Sequence, residues 1–321
     1  MPAMKNTTQD QGFHAGERAA QARVGLDAHM AEIGNRVLMD HMPPQFGRFL
    51  EHLPLVLVGS TDATGQPWAS VWAGQPGFMR PLSFSHLAVS GTPMLYDPLR
   101  SHLRPGASIG LLGLEPHTRR RIRVNGRVHT INDQAFVLEV QQCFGNCPKY
   151  IQARQAQFAQ DRMAMPMTQA GQALDEPARS LLARADTFFI ATAHPQAGAE
   201  DRAQGVDISH RGGKPGFVHV SPTDVLSVPD FHGNFYFNTL GNLELNPRAG
   251  LLFIDYECGD VLQLRVNVQV EWEGEHLARF MGAQRMLRMQ ELGWQRTQAS
   301  LPLRWSEALL SPALVHTGSW G

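Results

Sequence analysis

Cysteine is scarce in this chain of 321 residues. The three that occur, Cys143, Cys147 and Cys258, are an odd number, which excludes a scaffold built on disulfides and suits a reducing compartment. Apolar runs long enough to cross a membrane are also missing, and the first ten residues, MPAMKNTTQD, lack the apolar core of a signal peptide. We therefore expect a cytoplasmic protein that does not enter a membrane.

An excess of either charge is missing too. Lys and Arg number 28 and Asp and Glu number 29, for a formal net charge of −1, and no sustained basic block occurs. Binding to nucleic acid or to an anionic membrane through charge alone is not expected. The H-E-x-x-H and G-x-x-x-x-G-K-[ST] motifs are absent, which argues against zinc protease and nucleotide triphosphatase functions. A small-molecule substrate is the expected partner.

The composition that remains is that of a globular protein, with 43% hydrophobic and 18% charged residues. The length predicts two domains. From Gly16 to His41 apolar residues recur at helical intervals, and Pro43 and Pro44 follow. From Leu55 onward short β-type runs alternate with glycine, proline and polar residues. These patterns predict a helical lead-in over residues 1–45 and a β-rich remainder.

Several segments of the β-rich part occur twice, in the same order and about 130 to 140 residues apart. The pairs are Leu57–Thr61 with Phe189–Ala193, Gly77-Phe78 with Gly216-Phe217, Leu111-Leu112 with Leu251-Leu252, and Arg123-Val124-Asn125 with Arg265-Val266-Asn267. This repetition predicts a duplicated β-barrel, with a first barrel over 46–167 and a second over 168–321. The segment 161–178, with its prolines and polar residues, is predicted to link them.

The most informative stretch is FHGNFYFNTLGNLELNPRAGLLFID, residues 231–255. It predicts a strand through Phe235 and Phe237, a tight polar turn over 238–241, and a short helix over 243–246 that Pro247 ends. Unpaired N–H groups and the dipole at a helix start favour an anion, and Thr239 and Asn242 could complete a phosphate cradle there. An ordinary capped helix between two core strands is the alternative.

The two copies differ where a ligand would bind. In the second copy GVDISHRGGK, residues 205–214, places Arg211 beside two glycines. A guanidinium can hold phosphate oxygens through paired hydrogen bonds, and glycine lets the backbone approach a ligand. In the first copy Asp97 and Pro98 stand where the second has its amide and hydroxyl turn. We therefore predict that the second barrel binds the ligand and that the first serves packing and assembly.

At these segments the chain resembles the FMN-binding split-barrel superfamily of pyridoxamine 5′-phosphate oxidase, and from about residue 13 to 320 it resembles the two-barrel members. The resemblance implies a mainly β protein with flanking helices (α+β) and two FMN-binding split β-barrel domains in tandem. The segments that carry it are FHAGERAAQARVG at 13–25, GQPWASVWAGQPGF at 65–78, RRRIRVNGRV at 119–128, FGNCPKYIQAR at 144–154, SHRGGKPGF at 209–217 and NTLGNLELNPRAGLLF at 238–253.

The resemblance also implies a set of cofactor-binding residues. Ser209, His210 and Arg211 would line the ring and phosphate side, Asn238, Thr239 and Asn242 would surround the phosphate, and Phe237 would flank the isoalloxazine ring. The chain departs from the oxidase proper, which has Ser-Arg-Lys where this sequence has 241–243, Gly-Asn-Leu. It also lacks the oxidase's Arg and His motif for the vitamin phosphate. Oxidation of vitamin B6 is therefore not the expected function.

The expected function is that of an FMN-dependent oxidoreductase passing electrons from NADH or NADPH to an unknown acceptor. No catalytic side chain is assigned, because the flavin itself accepts hydride. The alternatives are a protein that binds or senses flavin or haem without turnover, and a scaffold with an empty barrel. The resemblance implies a homodimer, and it leaves open whether the second barrel packs against the first barrel of its own chain or of a partner.

Three further features each have a functional and a structural interpretation. Cys147 precedes Pro148 near a predicted helix start, where a redox or nucleophilic thiol is conceivable, although a packed thiol is favoured. The arginines at 119–123 could bind a phosphate or a nucleotide tail, but internal pairing or an interface role is favoured. His210 could contact flavin N5 or O4, and its involvement in proton transfer is less favoured.

Overall fold

The computed structural model describes residues 12–162 and 165–320. Residues 1–11 of the predicted lead-in, 163–164 near the predicted domain boundary and the final residue, 321, lie outside the described residues. In the part of the chain that the structure describes, no helix combines the length and apolar character needed to span a membrane.

The chain consists of short helices around long antiparallel strands. The helices are α1 (Ala15–Arg23), α2 (Asp27–Val37), α3 (Pro44–Glu51), α4 (Leu99–His102), α5 (Glu176–Arg184), α6 (Asn238–Leu245) and α7 (Glu275–Arg279). The strands are β1 (Leu55–Thr61), β2 (Pro67–Ala73), β3 (Met79–Pro81), β4 (His86–Ser90), β5 (Ser108–Glu115), β6 (Arg120–Ile131), β7 (Ala135–Gly145), β8 (Ala156–Phe158), β9 (Met167–Gly171), β10 (Thr187–Ala193), β11 (Val206–Gly212), β12 (His219–Val220), β13 (Val225–Phe231), β14 (Arg248–Ile254), β15 (Val261–Glu271), β16 (Ala283–Gln298) and β17 (Leu303–Trp305).

The lead-in is helical, as predicted, but it is divided. Gly25 adopts a left-handed backbone conformation, with φ of +72°, and separates α1 from α2. Pro44 begins α3 instead of only ending the helix before it. Proline is favoured at the first helical position because its missing N–H would have no partner there.

The two large sheets have the same topology. The first has the strand order β2-β1-β5-β6-β7-β4-β3 and the second the order β11-β10-β14-β15-β16-β13-β12, so each strand of the first corresponds to the strand nine places later. Strand β9 pairs with β16 outside this path. The predicted duplication is confirmed, and so is the predicted fold class: a mainly β protein with flanking helices and two split β-barrels in tandem.

The segment before α6 differs from the prediction. Strand β13 ends at Phe231, and the following residues up to 237 belong to no strand. Phe235 and Phe237 have φ of 60° and 59°, a left-handed conformation that a strand cannot contain. The predicted strand through these residues is therefore wrong, and so is the predicted turn over 238–241, because α6 already begins at Asn238.

The two barrels of the chain pack against each other. Apolar side chains from both sheets form one buried cluster, which includes Leu57 and Leu112 of the first barrel and Phe189 and Leu252 of the second. Two glycines mark corresponding close approaches of the two sheets. A Cβ atom at Gly110 would lie 2.5 Å from the carbonyl oxygen of Val206, and one at Gly250 would lie 2.5 Å from that of Pro67. The second barrel thus packs against the first barrel of its own chain.

The glycine contacts predict a specific sensitivity of this interface. We expect Gly250→Ala to lower the free energy of unfolding by about 1 to 3 kcal/mol, because the added methyl forces apart two backbones in contact. Gly110→Ala, at the corresponding contact, should have a similar effect. Gly205→Ala is the matched control, since its Cβ would meet its nearest atom, the Ser108 hydroxyl, only at 3.6 Å. Equal urea midpoints for all three variants would contradict this account.

Candidate functional site

A cleft of about 830 Å³, including its open mouth, lies between the two barrels. The first barrel supplies Arg121 and Arg123 from β6 and Asn146, Cys147, Lys149 and Tyr150 from the segment after β7. The second barrel supplies residues 209–212 from β11, 229–235 and 237 around the end of β13, 238–240 from α6, and Arg285 from β16. The cleft therefore draws on both barrels, whereas the sequence had predicted a site in the second alone.

Helix α6 begins at the cleft. Its first intrahelical hydrogen bond runs from the Gly241 N–H to the Phe237 carbonyl oxygen, at 2.6 Å. The N–H groups of Asn238, Thr239 and Leu240 precede that bond, and all three residues line the cleft. The helix dipole adds partial positive charge at this end. The start of α6 can therefore receive an anion through its backbone.

Helix α1 fixes the position of α6. The two helices cross so closely that a Cβ atom at Gly16 would lie 2.1 Å from the carbonyl oxygen of Gly241. Beside this crossing, buried Glu17 accepts a hydrogen bond from the Asn238 side-chain amide at 2.5 Å. Burial raises the pKa of the Glu17 carboxyl well above its usual range, and nearby Asp207 raises it further. The lead-in therefore supports the site through both packing and a hydrogen bond.

Arg123 crosses from the first barrel into the second. Its side chain is buried, and one terminal nitrogen, Nη1, donates to Asp207 Oδ1 at 3.1 Å and to Asn238 Oδ1 at 2.8 Å. The other, Nη2, donates to the Ser209 hydroxyl at 2.6 Å. Asp207 also accepts from the side-chain amides of Asn125, at 2.7 Å, and Asn242, at 3.0 Å. This network ties β6, β11 and α6 together beneath the cleft.

The polar side chains predicted to surround the phosphate are largely occupied by this network. Thr239 Oγ1 donates to the Ser209 hydroxyl at 2.9 Å, and Asn238 is bonded to Arg123 and Glu17 through its two side-chain polar atoms. Asn238 and Thr239 therefore contribute mainly their backbone N–H groups, at the start of α6, to the cleft. Six of the predicted site residues line the cleft: Ser209, His210, Arg211, Phe237, Asn238 and Thr239.

Asn242 does not line the cleft. It is fully buried one turn into α6, and its Nδ2 donates to Thr192 Oγ1 at 3.2 Å and to Asp207 Oδ2 at 3.0 Å. The helical position explains this placement, because residue 242 lies on the same helix face as residue 239 but about 4.5 Å further from the helix start that opens on the cleft. A turn over 238–241, as predicted, would have aimed both side chains at the same ligand.

Arg211 and Arg285 share one carboxylate. Arg211 Nη1 lies 3.0 Å from Asp230 Oδ1, and Arg285 Nε donates to Asp230 Oδ2 at 2.8 Å. Arg285 also stacks over the Phe237 ring, 5.0 Å from its centroid. The Nε groups of Arg123 and Arg211 are buried without an acceptor among the described residues.

The lining is strongly cationic as a whole. Asp230 is its one carboxylate among the described residues. The cations are Arg121, Arg123, Lys149, Arg211 and Arg285. The cleft has two guanidinium N–H groups without acceptors and the start of a helix. A bound anion would accept hydrogen bonds from these donors. The site is therefore built for a negatively charged small molecule.

His210 lies at the inner end of this lining and is 5% exposed. Its ring meets Phe189 edge to face, with centroids 5.7 Å apart. Burial, together with the positive charges of Arg121 and Arg211, lowers the pKa of His210 well below its usual value. The imidazole is therefore neutral at pH 7, and it can offer a hydrogen bond without adding charge.

Several lining residues were not predicted as site residues. Arg121 and Arg123 are two residues apart on β6, so their side chains lie on the same face of the strand. The arginine run at 119–123 shows this two-residue spacing in the sequence. Arg123 does have the favoured structural role, but it also lines the cleft. Arg285 comes from β16, and no sequence spacing relates it to the other residues. Cys147 lies in the cleft wall, half-buried, but no helix follows it, so the predicted helix start there is wrong.

The corresponding place at the other end of the barrel interface is closed. There Asp97 is buried and accepts hydrogen bonds from Ser70 Oγ, at 2.6 Å, and from the Leu99 N–H, at 2.8 Å. By strand register, Trp72 occupies the position that Arg211 has in the second barrel. The cavity beside Asp97 is about 210 Å³. Burial raises the pKa of the Asp97 carboxyl to about 6.

Comparison with known proteins gives structural neighbours only. No protein-family model matches the chain. A search of curated proteins likewise found no match. Similar solved structures include a candidate pyridoxamine 5′-phosphate oxidase from Lactobacillus delbrueckii, which is 19% identical with a TM-score of 0.27 and covers 34% of this chain and 98% of its own.

Two other solved structures are similar over comparable lengths. An FMN-binding protein from Syntrophomonas wolfei is 14% identical with a TM-score of 0.28, covering 37% of this chain and 82% of its own. An FAD-binding protein from Mesorhizobium loti is 12% identical with a TM-score of 0.26, covering 42% of this chain and 99% of its own. The tandem arrangement itself is seen in the two sheets of this chain.

The buried carboxyl at the closed end predicts a pH dependence of stability. Its pKa is about 6 in the folded chain against 3.8 ordinarily, so between these values the folded state holds more protons than the unfolded state. The stabilisation of the folded chain by the protonated Asp97 carboxyl is therefore complete below pH 4, and it is lost as the pH rises to 6. The stability difference between wild type and Asp97→Asn should fall by about 3 kcal/mol from pH 4 to 7 in urea unfolding. Asp133→Asn, at an exposed turn, is the control, and a constant difference for Asp97→Asn would disprove the assignment.

Proposed function

We propose that the cleft between the barrels binds FMN and that the protein is an FMN-dependent oxidoreductase. The observation that supports this most is the start of α6 in a cleft with five cationic side chains and one carboxylate in its described lining. A phosphate monoester carries nearly two negative charges at neutral pH and offers three acceptor oxygens. The backbone N–H groups of residues 238–240 and the guanidinium of Arg211 would hold that phosphate.

The remainder of the cleft suits the flat, partly polar ring of a flavin. Phe237 and Tyr150 supply aromatic surface, and neutral His210 supplies a hydrogen-bonding group. Gly212 lets β11 pack directly against the segment after β7, since a Cβ atom there would lie 2.0 Å from the Tyr150 carbonyl oxygen. Bound FMN would supply hydride or electron transfer, and the chain's own residues would supply position and charge balance.

We propose that one chain suffices for FMN binding. Both described walls of the cleft come from the same polypeptide. Homodimer formation, which the sequence resemblance implies, would then concern other surfaces. An electron donor such as NADH or NADPH is also part of the proposal, because the cleft is open and its wall is cationic.

An absorption spectrum distinguishes an FMN-dependent oxidoreductase from a protein that stores flavin or binds haem. Anaerobic addition of NADH or NADPH should bleach the flavin absorbance near 450 nm of the purified protein, and air should restore it, roughly as for other flavoproteins that turn over. A flavin that neither donor reduces would support a binding or sensing protein. A Soret band would support haem.

Arg211 provides the test of the phosphate assignment. Arg211→Ala should weaken FMN binding at least about tenfold, or about 1.4 kcal/mol, because it removes a charge-assisted partner of the phosphate. Riboflavin, which lacks the phosphate, should bind wild type and variant equally well. Arg48→Ala, on the exposed face of α3, is the control for a lost surface charge. Titration of flavin fluorescence measures both affinities of each protein, and an unchanged preference for FMN over riboflavin in Arg211→Ala would exclude this role of Arg211.

A further inference from the structure

Arg121 differs from the other arginines of the cleft. Arg123, Arg211 and Arg285 each pair with a carboxylate, Asp207 or Asp230. The Arg121 side chain is half-buried, and its hydrogen bond to the protein runs from Nε to the carbonyl oxygen of Cys147, at 2.8 Å. No carboxylate among the described residues forms an ion pair with it. Arg121 thus lines the cleft without a carboxylate partner among the described residues.

This arrangement is costly unless an anion completes it. The pKa of Arg121 is lowered to about 10, chiefly by burial, with the neighbouring Cys147 opposing the shift and the positive charges of Arg123 and Arg211 adding to it. The guanidinium nevertheless stays charged at pH 7. A half-buried cation beside two others is destabilising through both desolvation and repulsion, and a bound anion relieves both effects.

A second cation lies next to it. Lys149 is exposed in the same wall, and it has no ion pair among the described residues. Between the two, the Cys147 sulfur accepts a hydrogen bond from the Lys149 N–H at 3.4 Å. These residues belong to the first barrel, whereas the start of α6 belongs to the second. The cleft therefore has cationic groups on both of its walls.

The closed end of the interface lacks this feature. By strand register, Val261 occupies the position of Arg121, and Gln263 occupies that of Arg123. Val261 is buried among apolar side chains, and Gln263 is buried and donates from Nε2 to the Ala69 carbonyl oxygen at 2.8 Å. A buried apolar side chain at the closed end thus corresponds to an unpaired cation at the open end. The positive charge at the Arg121 position is therefore specific to the open cleft and is not required by the fold.

We propose that Arg121 and Lys149 form a second anion subsite in the cleft, which holds the carboxylate or phosphate of the molecule that exchanges electrons with the flavin. The inference rests on the proposed function, and it assigns the substrate class: a small organic anion. The α6 wall and Arg211 serve the cofactor phosphate, and the first-barrel wall serves the substrate.

Cys147 allows this charge to be measured without knowing the substrate. Iodoacetate and iodoacetamide both alkylate a thiolate, forming a sulfur–carbon bond and releasing iodide, but only iodoacetate is an anion. Both rates are proportional to the fraction of the thiol that is ionised, so this fraction cancels in their ratio. The ratio therefore reports the local electrostatic potential at the thiol. In the flavin-loaded protein the ratio at Cys147, followed by peptide mass spectrometry, should exceed that at Cys258 at least about fivefold at low salt. Cys258 is an exposed in-chain reference beside Asp255 and Asp260.

The variants identify which cations produce the effect. Arg121→Gln should lower the iodoacetate preference at Cys147 at least about threefold, and Lys149→Gln should lower it as well, because each removes one positive charge near the thiol. Inorganic phosphate at millimolar concentration should slow iodoacetate at Cys147 in wild type and much less in Arg121→Gln. Arg104→Gln, an exposed arginine outside the cleft, is the matched control and should behave as wild type. Lys149→Gln changes an exposed residue, so it keeps the test valid if Arg121→Gln fails to fold.

Other outcomes overturn the proposal. Loss of FMN from Arg121→Gln would make Arg121 a cofactor ligand, and protection of Cys147 from both reagents by bound flavin would mean that the flavin covers this wall. A ratio unchanged in both variants would show that neither residue attracts an anion. Failure of the proposed function is detected by a separate measurement made before the alkylation. In that case wild-type protein incubated with FMN would show no flavin absorption.

Discussion

A buried ion pair between Arg123 and Asp207 is the constraint on which the cleft depends. Removing two charges from water costs several kcal/mol per ion, which is recovered only when the geometry satisfies their remaining hydrogen-bonding groups. Here Asp207 accepts from three side chains and Arg123 donates to three. Because the partners belong to β6, β11 and α6, the pair holds the two barrels and the helix start in one arrangement. The backbone N–H groups of α6 face the cleft as a result.

The same fold therefore produces two different ends of one interface. Matched glycines, Gly110 and Gly250, bring the barrels equally close at corresponding points. Around these points the side chains differ: Arg211 corresponds to Trp72, Arg123 to Gln263 and Arg121 to Val261. One end is open and cationic, and the other is filled and contains a buried carboxyl. The backbone supplies the shape, and a few substitutions decide which end can hold a ligand.

The repeat and the β-rich fold were predictable because they depend on hydrophobic pattern, which the sequence displays directly. The stretch around Phe235 and Phe237 was not, because aromatic residues favour strands and nothing local announces a left-handed backbone. That error shifted the start of α6 and misplaced Asn242. Arg285 was beyond prediction for another reason: it reaches the cleft from a distant strand, and only the tertiary structure brings it to Asp230. Six predicted residues still line the cleft, since β11 and the start of α6 are each continuous in sequence.

Joining both barrels in one polypeptide has a consequence for how such a site persists. Two separate subunits would meet at a rate set by their concentration, whereas tethered halves meet at an effective concentration in the millimolar range, whatever the dilution. A pair of identical subunits must also carry any mutation at both ends of its axis. A tethered pair is free of that symmetry, so one end can be sealed for strength while the other specialises.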